Sequence, residues 1–452
     1  LVGERDGEGR LLDPVARFKD NRMKHQTRII LAGTLGNLIE SFDMAICGLL
    51  SVYIAKYLIG DASKGLFLVF LTFFAGYLAR PIGAMIMGLL SDIYGRKIIL
   101  AASILSMGVS TTFIGFIPPQ SSIGIFSVIT LLVLRIIQSF SCGAEYLNSS
   151  AYLVENAEAS KKGYSGSWAS FGAMSGMLVA SLVALVVTYF TNHYPEHDWL
   201  IWRVPFVLAL LGSSIGLYIR LCIPESMEYI MYYADRPKPK FKSLFSESIN
   251  FIKNNKIQSL YVFVLSCLGV TTTFQIYIYG PMQAHLYGHF QDHEIIMSNI
   301  ISLIVLLGVF PLIGKLSDKL NREKIVIFAS IGFLILSQPF FYALSHHDIF
   351  NLLLGQALIA IPAGAYYATV PVILSEMFPI KLRCTVLSIL YSTAASLSAG
   401  LAPLISLILV KKTSIASSPS WLVFILVFAA IGCMFIKRNS TTSALLFKNA
   451  SN

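Results

Sequence analysis

Five ionisable residues stand inside long apolar runs, where a charge is costly. Glu40 and Asp43 share one run, Arg80 lies in the next, and Arg135 and Glu145 share a later one. Ionisable side chains at bilayer depth are rare and mark functional sites by default. Neighbouring carboxylates suit proton binding, and an arginine fork suits a carboxylate ligand. The set therefore indicates proton transfer together with recognition of a carboxylate, and ion pairing between helices is the structural alternative.

A tally of these charges predicts how they combine. Three acids, Glu40, Asp43 and Glu145, face two bases, Arg80 and Arg135, which predicts two neutralised pairs and one remaining acid. Glu40 lies about 11 residues into its run, hence ~16 Å deep at 1.5 Å per residue. Asp43 follows one helical turn later on the same face. Either carboxylate is a candidate proton carrier, and their spacing alone favours neither.

The overall composition limits the classes of protein that could hold such charges. The chain has 452 residues, of which 55% are hydrophobic and 13% are charged. A soluble globular protein carries about 25% charged residues, so half of the usual charge is missing. The apolar content excludes a disordered chain, and it excludes a nucleic-acid-binding protein despite the net charge of +10. A membrane protein is the remaining class.

The elements that must position the buried charges are membrane helices. About 20 apolar residues cross a bilayer core of ~30 Å as a helix. The runs are far too long for barrel strands of about ten residues. The sequence predicts twelve spans, at residues 29–56, 65–90, 98–117, 123–150, 164–190, 200–221, 259–281, 295–314, 325–344, 350–374, 385–410 and 420–436.

The lysines and arginines are unequally shared between the two sides of these spans. Of the 34, 27 precede the first span, follow the last or fall in every second connection, and three lie inside spans. The opposite side has four: Lys56, Lys64, Lys411 and Lys412. The positive-inside rule then predicts that both termini are cytoplasmic. We predict a cytoplasmic segment 1–28, a six-helix bundle 29–222, a cytoplasmic linker 223–258, a second bundle 259–437 and a cytoplasmic tail 438–452.

The two predicted bundles contain related segments. Gly88-Leu-Leu-Ser-Asp92 recurs 226 residues later as Gly314-Lys-Leu-Ser-Asp318, and each copy continues to an arginine, Arg96 or Arg322. A second match, at an offset of 221, pairs the segment 143–146 with 364–367; it also pairs Glu155 with Glu376 and Arg135 with Gln356. Duplicated six-span halves are typical of transporters that rock about a site at the membrane midplane.

With these segments the chain resembles the major facilitator superfamily, and more narrowly its metabolite:proton symporters. Glu145-Tyr146 and Gly166-Ser167-Trp168 look most like the proline/betaine branch. Ser41, Cys47 and Ser139 depart from the pattern, since the family usually has Trp, Tyr and Gly there. The resemblance implies an all-α membrane protein with twelve helices in two pseudo-symmetric six-helix bundles. Besides the repeat, it rests on residues 36–43, 80–83, 134–146, 163–168, 202–206 and 375–379.

Two groups of functional residues follow from the buried charges, the repeat and the resemblance. The first is the path of the proton and the substrate, where Arg203 has an interfacial anchor as its alternative role. The second is a gating motif whose charge clusters are expected to latch the outward-open state, with anchoring of loops as the alternative. The path comprises Glu40, Asp43, Arg80, Arg135, Glu145, Tyr146, Arg203, Gln356 and Tyr366. The gating motif comprises Gly88, Asp92, Arg96, Glu155, Asp318, Arg322 and Glu376.

The carboxyl half is expected to contribute uncharged lining to the path. Aromatic faces bind quaternary ammonium groups by cation–π attraction, worth roughly 0.5–2 kcal/mol. Such a lining suits a betaine, and ordinary helix packing is the alternative. The predicted lining residues are Gln275, Tyr277, Tyr279, Tyr366, Tyr367 and Tyr391.

These patterns predict a proton-coupled symporter that imports a small zwitterion, such as the osmoprotectants proline or glycine betaine. An organic acid, such as a dicarboxylate or a shikimate-like compound, is the alternative cargo, and a non-transporting membrane sensor is the alternative class. We expect no enzymatic activity, no metal and no cofactor, with the proton motive force as the driver. The expected partners are the substrate, protons and the lipid bilayer, without nucleic acid. We expect a monomer in the bacterial inner membrane, and Met23 as a plausible start after an extension at residues 1–22.

Overall fold

The computed structural model describes the backbone of residues 14–59, 62–143 and 145–450. It describes side chains between Thr27 and Lys437, apart from residues 60–67, 70, 73, 144 and 292. The predicted extension 1–22 has no described side chains, and most of the predicted segment 1–28 and Lys64 lie outside the described side chains as well. So do the side chains of the predicted tail 438–452.

Twelve helices in the described part of the chain are long and apolar enough to cross a membrane, which confirms the predicted all-α membrane fold. Lipid offers no partner for a backbone amide, so each span must satisfy its own hydrogen bonds as a helix. The boundaries that we predicted for the five segments remain a prediction. The spans are Thr27–Leu49, Phe74–Tyr94, Arg96–Gly115, Phe126–Glu155, Lys162–His193, Pro195–Cys222, Lys256–Leu286, His293–Ser317, Arg322–Ala343, Ile349–Glu376, Arg383–Thr413 and Ser420–Lys437.

Two short π-helical segments interrupt the regular helical register. One, Ala55–Ile59, lies beyond the carboxyl-terminal end of the first span, where the sequence predicted a continuous helix to residue 56. The other, Gln275–Tyr279, lies inside the seventh span. A π turn inserts an extra residue into a helix and rotates the faces that follow. The side chains of Gln275–Tyr279 therefore do not follow the face predicted from the residues before them.

Close contacts between helices depend on small residues. In the first half, span one packs on span five; across the halves, span two packs on span eleven and span five on span eight. A Cβ atom added to Gly172 would lie 2.3 Å from the carbonyl oxygen of Thr34, and one added to Gly176 would lie 2.1 Å from that of Leu38. Small residues let helix backbones approach in lipid, and here they hold span one, which carries Glu40 and Asp43, against span five.

The linker between the sixth and seventh spans forms two helices, Met227–Tyr233 and Phe241–Asn254. The second is amphipathic: Leu244 and Ser248 are buried on one face, while Lys242 and Lys253 are exposed on another. We call Met227–Tyr233 the short linker helix and Phe241–Asn254 the amphipathic linker helix. The sequence predicted only a polar, proline-containing connection there.

Candidate functional site

A central cavity of about 170 Å³ lies between the two halves of the fold. Of the nine residues predicted on the path, four line it: Glu40, Arg80 and Tyr146 from the first half, and Tyr366 from the second. Asp43, Arg135 and Glu145 are not among its lining residues, although each is buried. Other lining residues are Ser41, Tyr77, Ala173, Gly269, Thr273, Phe274, Tyr367 and Tyr391.

Two pairs of aromatic rings reach across the cavity from opposite halves. Tyr146 and Tyr391 have ring centroids 5.6 Å apart with the rings tilted by 34°. Tyr77 and Phe274 meet edge to face at 5.9 Å. Each pair joins one ring of the first half to one of the second, so relative movement of the halves changes both pairs. Rings arranged in this way also present faces to a bound cation.

Glu40 and Arg80 supply opposite charges to the same cavity. An Oε1 atom of Glu40 lies 4.0 Å from Nη2 of Arg80, which makes a long ion pair, and it accepts a hydrogen bond of 2.6 Å from Sγ of Cys142. The side chain of Arg80 is 13% exposed and that of Glu40 only 6%. Both side chains are therefore shielded from water, but they are too far apart for a hydrogen bond. This leaves Arg80 able to bind a second carboxylate.

Asp43 and Arg135 occupy a separate buried network beside the cavity. Gln138 joins them: it accepts from Nη1 of Arg135 at 2.5 Å and donates to the backbone carbonyl of Asp43 at 3.1 Å. Gln138 also donates to the hydroxyl of Thr111, which itself donates to the carbonyl of Met107. Among the described residues, the Asp43 carboxylate forms no ion pair, and its neighbouring polar side chain is Thr111, whose hydroxyl donates to the carbonyl of Met107. Asp43 is thus the one of the three acids predicted on the path that forms no direct ion pair with a described residue.

Glu145 is paired with a base that the sequence analysis placed elsewhere. The count of lysines and arginines by side grouped Arg220 with the linker, although the predicted span 200–221 already contains it. The structure places Arg220 in span six, where it is 1% exposed and its Nη2 donates to Glu145 at 2.5 Å. Ser103 donates to the other carboxylate oxygen. The buried tally is therefore three acids and three bases, with pairs Glu40–Arg80 and Glu145–Arg220.

Several residues predicted near the path lie away from the cavity. Gln356 donates to Asn299 at 3.3 Å inside the second half. Arg203 lies over the ring of Trp202 at 4.6 Å and donates to the backbone carbonyls of Trp199, in span six, and Ile117, just after span three, as an interfacial anchor would. The prediction that Gln275, Tyr277 and Tyr279 line the path is wrong, because none of them lines the central cavity. The π turn of span seven directs their side chains towards other helices of the second half. Their partners there are Ser406, Ser302 and Phe341.

On the linker side of the membrane, Asp92 of the first half caps a helix of the second. Its carboxylate accepts hydrogen bonds from the backbone amides of Cys384 at 3.3 Å and Thr385 at 2.8 Å. These are the second and third residues of span eleven, whose first amides have no partner within the helix. Arg96 holds Asp92 at 3.4 Å and Glu155 at 3.3 Å. All three predicted charges of this cluster are therefore in contact.

The repeat of this arrangement is reciprocal. Asp318 of the second half accepts from the amides of Gly163 at 2.6 Å and Tyr164 at 2.9 Å, the second and third residues of span five. Arg322 contacts Asp318 at 3.5 Å and also pairs with Glu376. Each half thus caps one helix of the other half with the aspartate of its repeated segment.

The glycines that open the two repeats allow these close approaches. A Cβ atom on Gly88 would lie 2.9 Å from Cα of Thr385, and one on Gly314 would lie 3.2 Å from Cα of Tyr164. Both glycines face the helix end that the aspartate four residues later caps. The spacing Gly-x-x-x-Asp therefore combines close backbone approach with capping of the same helix.

The linker contributes a third set of contacts to this surface. Glu225 accepts from the amide of Arg96 at 3.0 Å, at the start of span three. Glu228, on the short linker helix, pairs with Lys162 of the first half at 3.5 Å and with Arg383 of the second at 3.0 Å. Tyr229 donates to the carbonyl of Ile93 at 2.7 Å, and burial raises the pKa of this tyrosine to about 12, so it keeps the donated proton.

Known proteins with two such halves match this chain in sequence and in fold. A family model described as Major Facilitator Superfamily matches residues 33–345 and 265–448. The chain belongs to the major facilitator superfamily. A proline/betaine transporter of Salmonella typhimurium is 30% identical over 441 residues, which cover 93% of this chain and 84% of the relative. A glycine betaine/proline/ectoine/pipecolic acid transporter of Dickeya dadantii is 29% identical and covers 94% and 84%.

Solved structures of the superfamily share the same fold. That of a proton:xylose symporter matches with a TM-score of 0.71 at 17% identity, over 92% of this chain and 96% of the symporter. A human organic anion transporter matches with a TM-score of 0.63 at 14% identity, over 90% and 99%. This facilitator is therefore a multi-pass secondary transporter rather than an enzyme.

Sequence reasoning missed Arg220 and Glu228 in this facilitator. A signal for the first was present, because Arg220 follows an apolar run without a break and precedes the helix-ending Pro224 by four residues. The predicted span 200–221 contains this residue, and only the count of cations by side grouped it with the linker. The second had no local signal, because the two bases that hold Glu228 lie in two different halves.

Proposed function

We propose that the facilitator imports a small zwitterion, such as proline or glycine betaine, together with protons by alternating access. The observation that carries the proposal is the central cavity, in which Glu40 and Arg80 stand among aromatic rings from both halves. In this scheme the substrate carboxylate binds the guanidinium of Arg80, whose planar fork suits a carboxylate. The ammonium group lies against Tyr77, Tyr146 and Tyr391, whose ring faces attract a cation.

Glu40 favours a zwitterion over the alternative cargo. A dicarboxylate would place its second negative charge in a cavity that already holds a buried carboxylate beside its single guanidinium. A zwitterion places its cation near Glu40 and its carboxylate near Arg80, so both charges are matched. The names of the curated relatives support the same class of substrate.

Asp43 is our candidate for the coupled proton. An ionised carboxylate without an ion-pair partner is costly in an apolar interior. Proton uptake by Asp43 therefore removes a desolvation cost that Glu145, paired with Arg220, does not carry. Asp43 lies one turn from Glu40 on span one, which connects it to the substrate site. Gln138 separates Asp43 from Arg135, and a change in that contact as the halves rock is the proposed coupling step.

The linker-side clusters would hold the transporter open to the opposite side. The caps on spans five and eleven join the halves at this end of the molecule, so they must break before the cavity opens to the linker. We further propose that this is the cytoplasmic side of a bacterial inner membrane, with both termini there, and that the transporter acts as a monomer. The excess of lysine and arginine on this side supports the orientation.

The transport experiment uses purified protein in proteoliposomes with an imposed inward proton gradient. Labelled proline or glycine betaine should accumulate, and a protonophore should abolish accumulation. A panel that includes a dicarboxylate and a shikimate-like acid tests the alternative cargo. Accumulation indifferent to the gradient rejects proton coupling, and transport of the acids alone rejects the zwitterion.

The variant Asp43→Asn isolates the proton step. It should lose uphill accumulation while keeping exchange of labelled for unlabelled substrate at equal pH, because exchange does not require net proton movement. The matched control is Asp348→Asn, which removes an exposed carboxylate that caps the tenth span at its outer end. If Asp43→Asn still accumulates substrate against a gradient, Asp43 is not the coupled proton site.

A further inference from the structure

A concentrated and unneutralised basic surface lies on the linker. Six exposed cations fall within 21 residues there, and none of them forms an ion pair with a described side chain. The acids in and next to this stretch do little to balance them: Asp235, just before it, is exposed, and Glu247 is paired with Lys381 at 2.5 Å. We call the six cations the linker basic surface. They are Arg236, Lys238, Lys240, Lys242, Lys253 and Lys256.

The amphipathic linker helix places these charges beside apolar groups. Lys242 and Lys253 are eleven residues apart, about three helical turns, so they share one face. The neighbouring face carries Phe241, Phe245 and Ile252; the last two pack against the core of the second half, while Phe241 is 45% exposed. A basic stripe next to an apolar stripe is typical of a helix that lies in a membrane interface.

The position of the helix fixes which surface it can meet. The linker leaves span six at Cys222 and enters span seven at Lys256, so its ends are held at one face of the membrane. Leu244 is completely buried against the bundle, which keeps the helix from moving away into solvent. The exposed lysines therefore lie at the end of the bundle where spans six and seven leave the apolar part of the membrane.

We propose that the linker basic surface binds the headgroups of anionic phospholipids in the adjacent leaflet. Clusters of four to eight basic residues next to a membrane span or on an amphipathic helix have this property, and each contributes separately. Insertion of the polypeptide in the right orientation needs the charges only during assembly. Headgroup binding, in contrast, gives the assembled protein a preference for anionic lipid, whatever its cargo.

The test uses the full chain reconstituted in vesicles, with Phe241→Trp as a local fluorescent reporter. The native tryptophans lie outside the linker, at positions 168, 199, 202 and 421, and their signal is subtracted with the unsubstituted protein. Quenching by brominated phosphatidylglycerol is compared with quenching by brominated phosphatidylcholine. The anionic lipid should be preferred by about fivefold or more, the factor expected for one well-formed contact at such a surface.

Two charge variants decide whether the site is local. Lys238→Gln/Lys240→Gln/Lys242→Gln in the reporter background should bring the preference close to unity. The matched control, Lys315→Gln/Lys319→Gln/Lys324→Gln, removes three exposed lysines from another connection on the same side and should leave it unchanged. If the triple variant does not fold, Lys242→Gln/Lys253→Gln must lower the preference from the same helix face.

Three results would overturn the proposal. The first is equal quenching by both lipids with all six cations present. The second is an equal loss of preference in the control variant, which would indicate a general surface charge. The third is displacement of the preference by millimolar inorganic phosphate, which would indicate a site for a soluble anion rather than for a lipid headgroup.

Discussion

The bridge made by Glu228 provides a direct test of how the linker controls the two halves. In Glu228→Gln the side chain keeps its size but loses the charge that faces Lys162 and Arg383. Lys162 retains Glu376 at 4.0 Å, and Arg383 retains Glu155 at 2.7 Å. The variant should therefore loosen the linker side without dismantling it.

The size of the effect follows from the exposure of the partners. Glu228 is 29% exposed, Lys162 is 25% exposed and Arg383 is 10% exposed. Ion pairs in contact with water are worth about 0.2–1 kcal/mol each, and the pair with Arg383 stands at the upper end because Arg383 is well shielded. A total of about 1 kcal/mol corresponds to about a fivefold rise in the ratio of linker-side-open to closed molecules.

Hydrogen–deuterium exchange of the reconstituted protein measures this ratio without labels. The amides at the starts of spans five and eleven are buried by the caps, and their exchange rate reports the open population. Both segments should exchange about fivefold faster in Glu228→Gln. The control is Glu247→Gln, which removes a linker charge whose partner, Lys381, lies in the second half alone. Unchanged exchange in Glu228→Gln, or an equal rise in Glu247→Gln, would refute the bridge.

Three other substitutions test the packing beneath these contacts. Asp92→Asn should speed exchange at the start of span eleven more than Glu228→Gln does, because a buried carboxylate hydrogen bond is worth about 1.5–3 kcal/mol; unchanged exchange and transport would reject the latch. Either Glu145→Gln or Arg220→Met should destabilise the protein by about 3–5 kcal/mol, and the double variant should recover most of the loss in thermal unfolding, since it leaves no unpaired buried charge. Gly176→Leu should prevent assembly of span one on span five, which size-exclusion chromatography would detect as loss of the folded protein, whereas Gly212→Leu, where a Cβ meets nothing within 4 Å, should not.

Local patterns were sufficient to predict the helices and the repeated segments. Apolar length specifies a membrane helix, because lipid leaves the backbone no other satisfactory state. The matched spacing of Gly88 with Asp92 and of Gly314 with Asp318 indicated two equivalent clusters. It did not indicate that each aspartate caps a helix of the opposite half, because the capped amides at Cys384 and Gly163 belong to distant segments.

The candidate site was predictable only in part, for two physical reasons. Reading Gln275, Tyr277 and Tyr279 as lining assumed a regular helix, and the π turn of span seven rotates them away from the cavity. Counting Arg220 with the linker cations assumed that a charge near the end of a span faces water. Burial of that charge depends on Glu145, a residue 75 positions earlier in the chain, and such pairing is decided by helix packing rather than by local composition.

The two halves are alike at the linker surface but differ beside the cavity. At the linker surface both halves keep the aspartate cap and the arginine–glutamate pair, so one helix of each half is held there by the other half. Beside the cavity, the positions of Arg135 and Glu145 in the first half are taken by Gln356 and Tyr366 in the second. Tyr366 donates to the carbonyl of Leu265, so a neutral hydrogen bond replaces an ion pair there. A second set of buried charges would add desolvation cost without a partner to offset it. The symmetric contacts and the one-sided charge both agree with the proposed mechanism, in which both halves move and only the first half carries the proton.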